Sequence, residues 1–258
     1  MNDLFTQYGQ ILKNGNVSCN EKALPKEFLI EESKDLAVFY APFDYVNKSA
    51  KIVLCGITPG LQQAELALRE ASIQLRNGST PEQAKLSAKN TASFGGPMRS
   101  NLIRMLDFVG INKVLGITST SDLFDTSAHL VHYTSALRYP VFKSGKNYSG
   151  TPSMLSNPLL RKQVDSFLVP ELRSLSEQTI YIPLGPKVEE VLNYCANIGV
   201  IKPEQVLGGL PHPSGANAER IAYFLNEKPK DQLSVKTNPE KIDLAREVIL
   251  NKVNKLTQ

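Results

Sequence analysis

The sequence predicts an α/β protein with a mainly parallel, three-layer α/β/α arrangement. Three apolar runs with β-branched residues, at 51–57, 129–142 and 179–185, are typical of buried strands that end in turns or loops. Stretches of helical composition separate these runs. Strands that alternate with helices favour parallel pairing, with helices on both faces of the sheet.

The remaining elements follow in order along a single predicted domain, 1–258, whose first part, 1–49, reads as a mixed helical and loop extension. Between the first and second strands we predict a helix at 61–76, a loop with a short helix after Pro81 at 77–97, and a helix at 98–110. Between the second and third strands we predict a loop at 143–153 and a helix at about 156–175. After the third strand we predict a helix at 186–199, a short strand at 205–210, a helix after 212–220 and an amphipathic C-terminal helix at 238–258.

Composition excludes several protein classes. Apolar residues make up 41% of the 258 residues and charged residues 21%, as in an average globular protein. No apolar run reaches the length of about 18 residues that a membrane span needs, and no signal peptide is visible. The three cysteines lie far apart without metal-ligand spacing, so we expect a cytoplasmic protein with no metal and no cofactor. The net charge of +4 permits a local nucleic-acid patch without indicating one.

Three turns are candidates for a shared site. In open α/β sheets, ligands bind beyond the carboxyl ends of the strands. The turns at 56–60, 134–138 and 212–217 are placed at such ends by the predicted topology. The sequence therefore predicts that they converge.

Four segments carry a family resemblance. They are GITPG (56–60), SFGGPMRSNLIRMLDFVGI (93–111), IYIPLGPKVEEVL (180–192) and HPSGANAER (212–220). In this order, over about 50–225, the chain resembles the uracil-DNA glycosylase superfamily, nearest to its mismatch-specific and GxxPG-type branches. The resemblance implies a four-stranded, mainly parallel sheet, DNA with a flipped base as the partner, a monomer, and no cofactor.

The resemblance also implies roles for individual residues. It gives catalytic roles to His212, whose imidazole donates to the departing base, and to Thr58, which orients a water. It implies base contacts by Gly56, Ile57, Phe94 and Ser135. It implies DNA contacts by Pro59, Gly60, Gly185, Ser214, Gly215, Ala216, Asn217 and Arg220. A glycosylase needs these functions because the base must be held outside the duplex while negative charge develops on it.

Three departures from the family pattern bear on the substrate. Thr58 stands where the family has Asn or Asp, and Ser135 (or Thr134, if the alignment shifts by one) stands where an Asn reads uracil. Ala216 and Asn217 replace the large wedge residue. We therefore expect a monofunctional glycosylase for a damaged or modified pyrimidine, not plain uracil. A conventional uracil-DNA glycosylase and a catalytically silent DNA-binding protein are the alternatives.

Several polar residues have two interpretations each. Glu65 and Glu219 either act as a base or are solvated helix positions. His129, His132, Arg138, Lys143 and Lys146 either contact DNA or are structural and solvated groups.

Overall fold

A computed structural model of the chain describes residues 4–14, 23–93 and 97–257, and its helices and strands confirm the α/β class. The described residues divide into two compact units. The first unit comprises those within 1–46, 57–93 and 133–171. The second unit comprises those within 47–56, 94–132 and 172–258.

In chain order the elements are α1 (Leu4–Asn14), β1 (Leu29–Ser33), β2 (Leu36–Phe39), β3 (Ile52–Gly56), α2 (Leu61–Arg76), α3 (Pro81–Ala92), α4 (Pro97–Phe108), α5 (Ile111–Leu115), β4 (Val131–Ser135), β5 (Val141–Lys143), β6 (Lys146–Asn147), α6 (Pro158–Gln163), α7 (Val169–Arg173), β7 (Ile180–Pro183), α8 (Pro186–Asn197), α9 (Ala218–Phe224) and α10 (Pro239–Leu256). A π-helical turn, Val164–Leu168, joins α6 to α7. Short 3-10 turns lie at Lys26–Phe28, Thr120–Phe124, Ala128–Leu130, Pro203–Gln205, Gly215–Asn217 and Lys230–Gln232.

The first unit contains an antiparallel sheet that the sequence did not predict. Its strand order is β1-β2-β5-β6. The 1–49 extension, expected as helix and loop, therefore supplies two strands, and the expected loop after residue 143 supplies β6. These strands were missed because β1, LIEES, has no clear alternation and β6 has only two residues. Short strands of this kind depend on their cross-strand partners more than on intrinsic propensity.

The second sheet has the strand order β4-β3-β7. Every residue of β3 is buried, and β3 pairs in parallel with β7 from Ile52–Ile180 to Cys55–Pro183. The predicted strands at 51–57 and 179–185 are thus confirmed. Strand β4 starts in the second unit at Val131 and ends in the first unit at Ser135.

The strand predicted at 205–210 is present only as a bridge. This segment makes a single parallel bridge, between Val206 and Tyr181, so three strands form this sheet in the described part of the chain. Gly209 has a φ of +110°, outside the extended conformation of a strand, and a Cβ on it would lie 2.7 Å from the carbonyl oxygen of Ala245. Gly209 thus brings the chain against α10 instead of continuing the sheet.

The predicted helices are largely confirmed. Helix α2 has the expected bounds, and α3 is longer than expected because Thr80 caps it through the amide of Gln83 and Pro81 occupies its first position. The helix expected at 238–258 is α10, capped by Asn238. Among the described helices, none is both long and apolar enough to cross a membrane.

Candidate functional site

The predicted site residues fall into both units. The first unit holds Ile57, Thr58, Pro59, Gly60 and Ser135, and the second unit holds Gly56, Gly185, His212, Ser214, Gly215, Ala216, Asn217 and Arg220. Phe94 lies outside the described residues, so its stacking role stays a prediction.

Two of the three turns expected to converge are in contact within the first unit. The carbonyl of Ile57 accepts a hydrogen bond from the amide of Leu137 at 2.9 Å. The side chain of Thr58 bonds to the chain just beyond, at Tyr139 and Val141. The GITPG turn and the turn after β4 therefore form one structural feature.

The Thr58 hydroxyl is occupied by these main-chain contacts. It donates to the carbonyl of Tyr139 at 3.0 Å and accepts from the amide of Val141 at 3.1 Å. A hydroxyl has one hydrogen and two lone pairs. One lone pair therefore remains for any water, and the main visible effect of Thr58 is to hold the segment 139–141 against the turn.

The main-chain donors at the end of the GITPG turn are also occupied. The amide of Gly60 donates to Gln63 Oε1 at 3.1 Å, and the amide of Leu61 donates to Asn147 Oδ1 at 3.0 Å. Pro59 has no N–H group. Neither Pro59 nor Gly60 therefore has a main-chain donor left for a ligand.

The hydroxyls at the end of β4 are less engaged. Ser135 is half-buried, and none of the described residues makes a hydrogen bond to its side chain. Thr134 is buried, and its Oγ1 lacks a hydrogen-bond partner in the described part of the chain. Neighbouring strand residues point to opposite faces of a sheet, so the hydroxyls of Thr134 and Ser135 lie on different sides of β4.

Arg138 is structural. Its Nε donates to Glu171 Oε2 at 2.6 Å, its Nη2 donates to the carbonyl of Phe167 at 2.8 Å, and both charged side chains are buried. Burial alone would lower the pKa of Arg138, but the carboxylate of Glu171 more than offsets this and raises it. The alternative in which Arg138 contacts DNA is therefore wrong.

Two further titratable residues of the first unit are removed from solvent, Lys89 fully and Asp44 in part. Asp44 accepts hydrogen bonds from Tyr40 at 3.0 Å and from Tyr139 at 2.5 Å, and burial raises its pKa. Lys89 donates to the carbonyl of Tyr45 at 2.6 Å, and burial lowers its pKa to about 8. No motif pointed to these residues, because their burial depends on tertiary packing.

The remaining polar candidates separate clearly. His132 is buried, and its Nδ1 accepts from the amide of Asn47 at 3.4 Å, whereas His129 is exposed. Lys143 lies 3.9 Å from a carboxylate oxygen of Asp35, and Lys146 is exposed. His132 therefore has a structural environment, and the two lysines lie on an exposed hairpin.

The two glutamates considered as alternative bases differ. Glu219 accepts hydrogen bonds from Lys228, Ser234 and Thr237, which hold its pKa well below the usual range. A carboxylate engaged in this way is a weak base. Glu65, on α2, has a buried Oε1 without a hydrogen-bond partner in the described part of the chain.

His212, in the second unit, has a defined tautomer. Its Nδ1 accepts the amide hydrogen of Ser214 at 3.2 Å. A backbone amide only donates, so Nδ1 carries no hydrogen and the neutral ring has its hydrogen on Nε2. Burial lowers the pKa of His212, which favours the neutral form. The side chain can therefore donate one N–H bond to an anion without bearing a charge.

Gly185 lies directly behind His212. It follows β7, has a φ of +95°, and a Cβ on it would lie 3.2 Å from the Cβ of His212. The amide of Leu184 donates to the carbonyl of Cys55 at 2.9 Å, next to Gly56 at the end of β3. Glycine at position 185 thus allows the end of β7 to support the histidine closely.

The loop after His212 is fixed by hydrogen bonds. Asn101, on α4, donates to the carbonyl of Pro213 at 3.0 Å. The Ser214 hydroxyl accepts from Asn217 Nδ2 at 3.1 Å. Gly215 and Ala216 are exposed, and neither offers a large wedge.

A cavity of about 530 Å³ opens beside this loop, within the second unit. The polar and charged residues of interest on its wall are Glu189, His212, Asn217, Arg220, Lys236 and Lys241. Its volume is in the range of small-molecule sites. Sequence reasoning missed three of these residues: Lys236 and Lys241 lie outside the motifs, and Glu189 lies in the segment IYIPLGPKVEEVL but was given no role. The only available signal was the frequency of lysine between 228 and 241.

Comparison with known proteins identifies one relationship. No family model matches the chain, and no solved structure matches it. The chain is 34% identical over 226 residues to the uncharacterized protein YoxB of Bacillus subtilis (strain 168), in an alignment that covers 87% of this chain and 88% of YoxB. The chain therefore belongs to the same family as YoxB.

Proposed function

We propose that the chain is a monofunctional DNA glycosylase that releases a flipped-out damaged or modified pyrimidine and leaves an abasic site. The observation that carries the proposal is the state of His212, a neutral imidazole with an N–H donor at Nε2 beside an exposed loop. We also propose that the chain has the fold of the uracil-DNA glycosylase superfamily. In this proposal, strands β4, β3 and β7 and the bridge at Val206 correspond to the four-stranded sheet of that superfamily.

In the proposed reaction the bond between sugar C1′ and the base nitrogen breaks, and its electron pair moves to the base. Nε2 of His212 donates a hydrogen bond to the base oxygen on which this charge accumulates. A water attacks C1′ and releases its proton to solvent or to the departing base. Removing a preorganised donor of this kind typically costs a factor of about 100 or more in rate.

The contacts of Thr58 support a substrate other than plain uracil. An Asn side chain both donates to and accepts from one base edge, which allows it to read uracil. The hydroxyl of Thr58 is held by Tyr139 and Val141, and Ser135 offers one short hydroxyl. Two small side chains in these positions give a weaker uracil readout and more space, which suits a pyrimidine with a large 5-substituent.

The occupied Thr58 hydroxyl also favours one alternative, a catalytically silent protein that binds modified or damaged DNA. Such a protein keeps the pocket but lacks a residue that activates water. A conventional uracil-DNA glycosylase is the other alternative, if another residue supplies the uracil readout.

Base release from a panel of labelled oligonucleotides tests these possibilities. The panel contains uracil, cytosine and cytosines with bulky 5-substituents, each in single-stranded and duplex DNA. We expect release of the substituted cytosines in preference to uracil. Fast and selective release of uracil contradicts the substrate proposal, and binding without release of any base contradicts the enzyme proposal.

A further inference from the structure

The cavity beside His212 has an excess of positive charge that the fold does not neutralise. Between residues 218 and 246 the chain has six lysines and arginines, three of which pair with carboxylates. The three pairs are Lys228–Glu219, Lys230–Glu240 and Arg246–Asp243, at 2.8, 2.8 and 2.6 Å. Arg220, Lys236 and Lys241 have no carboxylate within ion-pair distance among the described residues. All three line the cavity.

Arg220 is oriented by neutral groups. Its guanidinium donates to Asn217 Oδ1 at 2.8 Å and to the carbonyl of Lys236 at 3.2 Å. These contacts fix the side chain across the wall of the cavity. They leave its charge uncompensated, since neither acceptor is ionised.

Among the described residues, Glu189 supplies the one carboxylate on the cavity wall. It packs on the main chain of Gly208, where a Cβ would lie 2.1 Å from Glu189 Oε1. Against the three cations it leaves a net positive wall. Such a concave surface concentrates anions.

We propose that this cavity binds the phosphate backbone of a DNA strand, with Lys236 and Lys241 contacting phosphates while Arg220 is held between them and the His212 loop. This inference rests on the proposed function, because His212 lines the same cavity. The lysines are exposed, and exposed lysines act as adaptable point charges that suit a repeating polyanion. Planar, bidentate recognition of a single phosphate favours arginine instead.

Salt-dependent DNA binding tests the site. The probe is a fluorescein-labelled oligonucleotide with an abasic-site analogue, titrated by anisotropy at several salt concentrations with the full chain. The test variant carries Lys236→Ala and Lys241→Ala. The matched control carries Lys113→Ala and Lys255→Ala, two exposed lysines of the second unit that do not line the cavity and have no carboxylate partner among the described residues.

We expect the test variant to bind about tenfold or more weakly at low salt, and its salt slope to fall by roughly one for each lysine. We expect the control variant to match the wild type. Competition by a free mononucleotide distinguishes a site for a DNA strand from a site for a single phosphate group. We expect the mononucleotide to compete far less well than the oligonucleotide at equal phosphate concentration.

Three outcomes overturn the proposal. They are an unchanged affinity and slope in the test variant, an equal loss in the control variant, and equal competition per phosphate by the mononucleotide. Failure here is distinguishable from failure of the proposed function. If the wild-type protein releases base but the test variant binds DNA normally, only the phosphate site is rejected. If the test variant loses salt dependence but the wild-type protein releases no base, only the glycosylase proposal is rejected.

Discussion

Two turns with family-like motifs use their polar groups in different ways. In the first unit, the GITPG turn gives the Thr58 hydroxyl and the Gly60 amide to neighbouring protein groups. In the second unit, the HPSGAN loop uses the Ser214 amide to fix His212 Nδ1, which leaves the other ring nitrogen, Nε2, as a donor. The cavity that His212 lines also contains three cations without carboxylate partners in the described part of the chain: Arg220, Lys236 and Lys241.

A motif match therefore does not by itself leave a functional group available to a ligand. Hydrogen bonds in the first turn stabilise the fold and reduce what it offers a ligand. Hydrogen bonds in the second loop define a tautomer and leave a donor. Substitutions in the first turn should therefore act mainly on stability, and those around His212 mainly on activity.

The largest expected effect on stability comes from the buried ion pair of the first unit. Glu171→Ala leaves the Arg138 guanidinium buried without its carboxylate, so we expect a loss of about 3–5 kcal/mol in the free energy of unfolding. Denaturant titration measures it. Glu177→Ala is the matched control, because this exposed glutamate lies 3.9 Å from Lys202 and such surface pairs contribute less than about 1 kcal/mol. Equal effects at the two positions would refute the structural role of Arg138.

Thr58→Val should have the next largest effect. It preserves shape but leaves the carbonyl of Tyr139 and the amide of Val141 without their partner, at a cost of about 1–3 kcal/mol in the free energy of unfolding. Thr58→Ser keeps the hydroxyl and should recover most of the loss in the same denaturant experiment. A Val variant as stable as the wild type argues that the hydroxyl is free for a ligand.

Gly185→Ala tests the support behind His212. The backbone conformation of Gly185, with φ +95° and ψ 163°, costs about 1–3 kcal/mol for a residue with a Cβ, and the new methyl group also meets the Cβ of His212. We expect base release to fall by more than the loss of folded protein explains. Gly199→Ala is the control, since its φ is +71° and a Cβ there meets nothing within 4 Å. Equal activity in the two variants would contradict the positioning role.

The pH dependence should be the smallest effect. Burial lowers the pKa of folded His212, so below about pH 6.5, the ordinary pKa of histidine, the unfolded chain binds more protons at this site. The part of the free energy of unfolding that depends on His212 should therefore be fully present above that pH, and it should decrease as the pH falls toward the pKa of the folded state. The slope from one group is at most about 1.4 kcal/mol per pH unit. His212→Gln should remove this component, and an unchanged pH profile would show that the imidazole is not buried in its neutral form.

The sequence predicted much of the second unit and less of the first. In the second unit, strands β3 and β7 follow from uninterrupted apolar runs, and α8 follows from the proline at its first position and the glycine near its end. In the first unit, α2 follows from its composition between Gly60 and Asn77. Strands β1, β2 and β6 were not visible because their stability comes from pairing along one antiparallel sheet. The segment 205–210 looked like a strand, but close packing of Gly209 against Ala245 redirects it.

The candidate site was predicted to a similar extent. The positions of His212 and Gly185 could be read from motifs, since each follows a short apolar segment. The tautomer of His212 and the occupied hydroxyl of Thr58 could not, because both depend on hydrogen bonds that form only in the folded chain. The sequence could not show that Lys236 and Lys241 lie in one cavity with Arg220, because this cavity forms only when α10 packs.

The most direct test compares base release by His212→Ala and Thr58→Val, each corrected for its folded fraction, on the best substrate of the oligonucleotide panel. We expect His212→Ala to lose about 100-fold or more in the rate of base release, and Thr58→Val to lose far less once stability is corrected. Circular dichroism of His212→Ala should match that of the wild type. A folded His212→Ala that releases base at the wild-type rate, or a Thr58→Val that is the more impaired of the two, would contradict the assignment of His212 as the donor to the departing base.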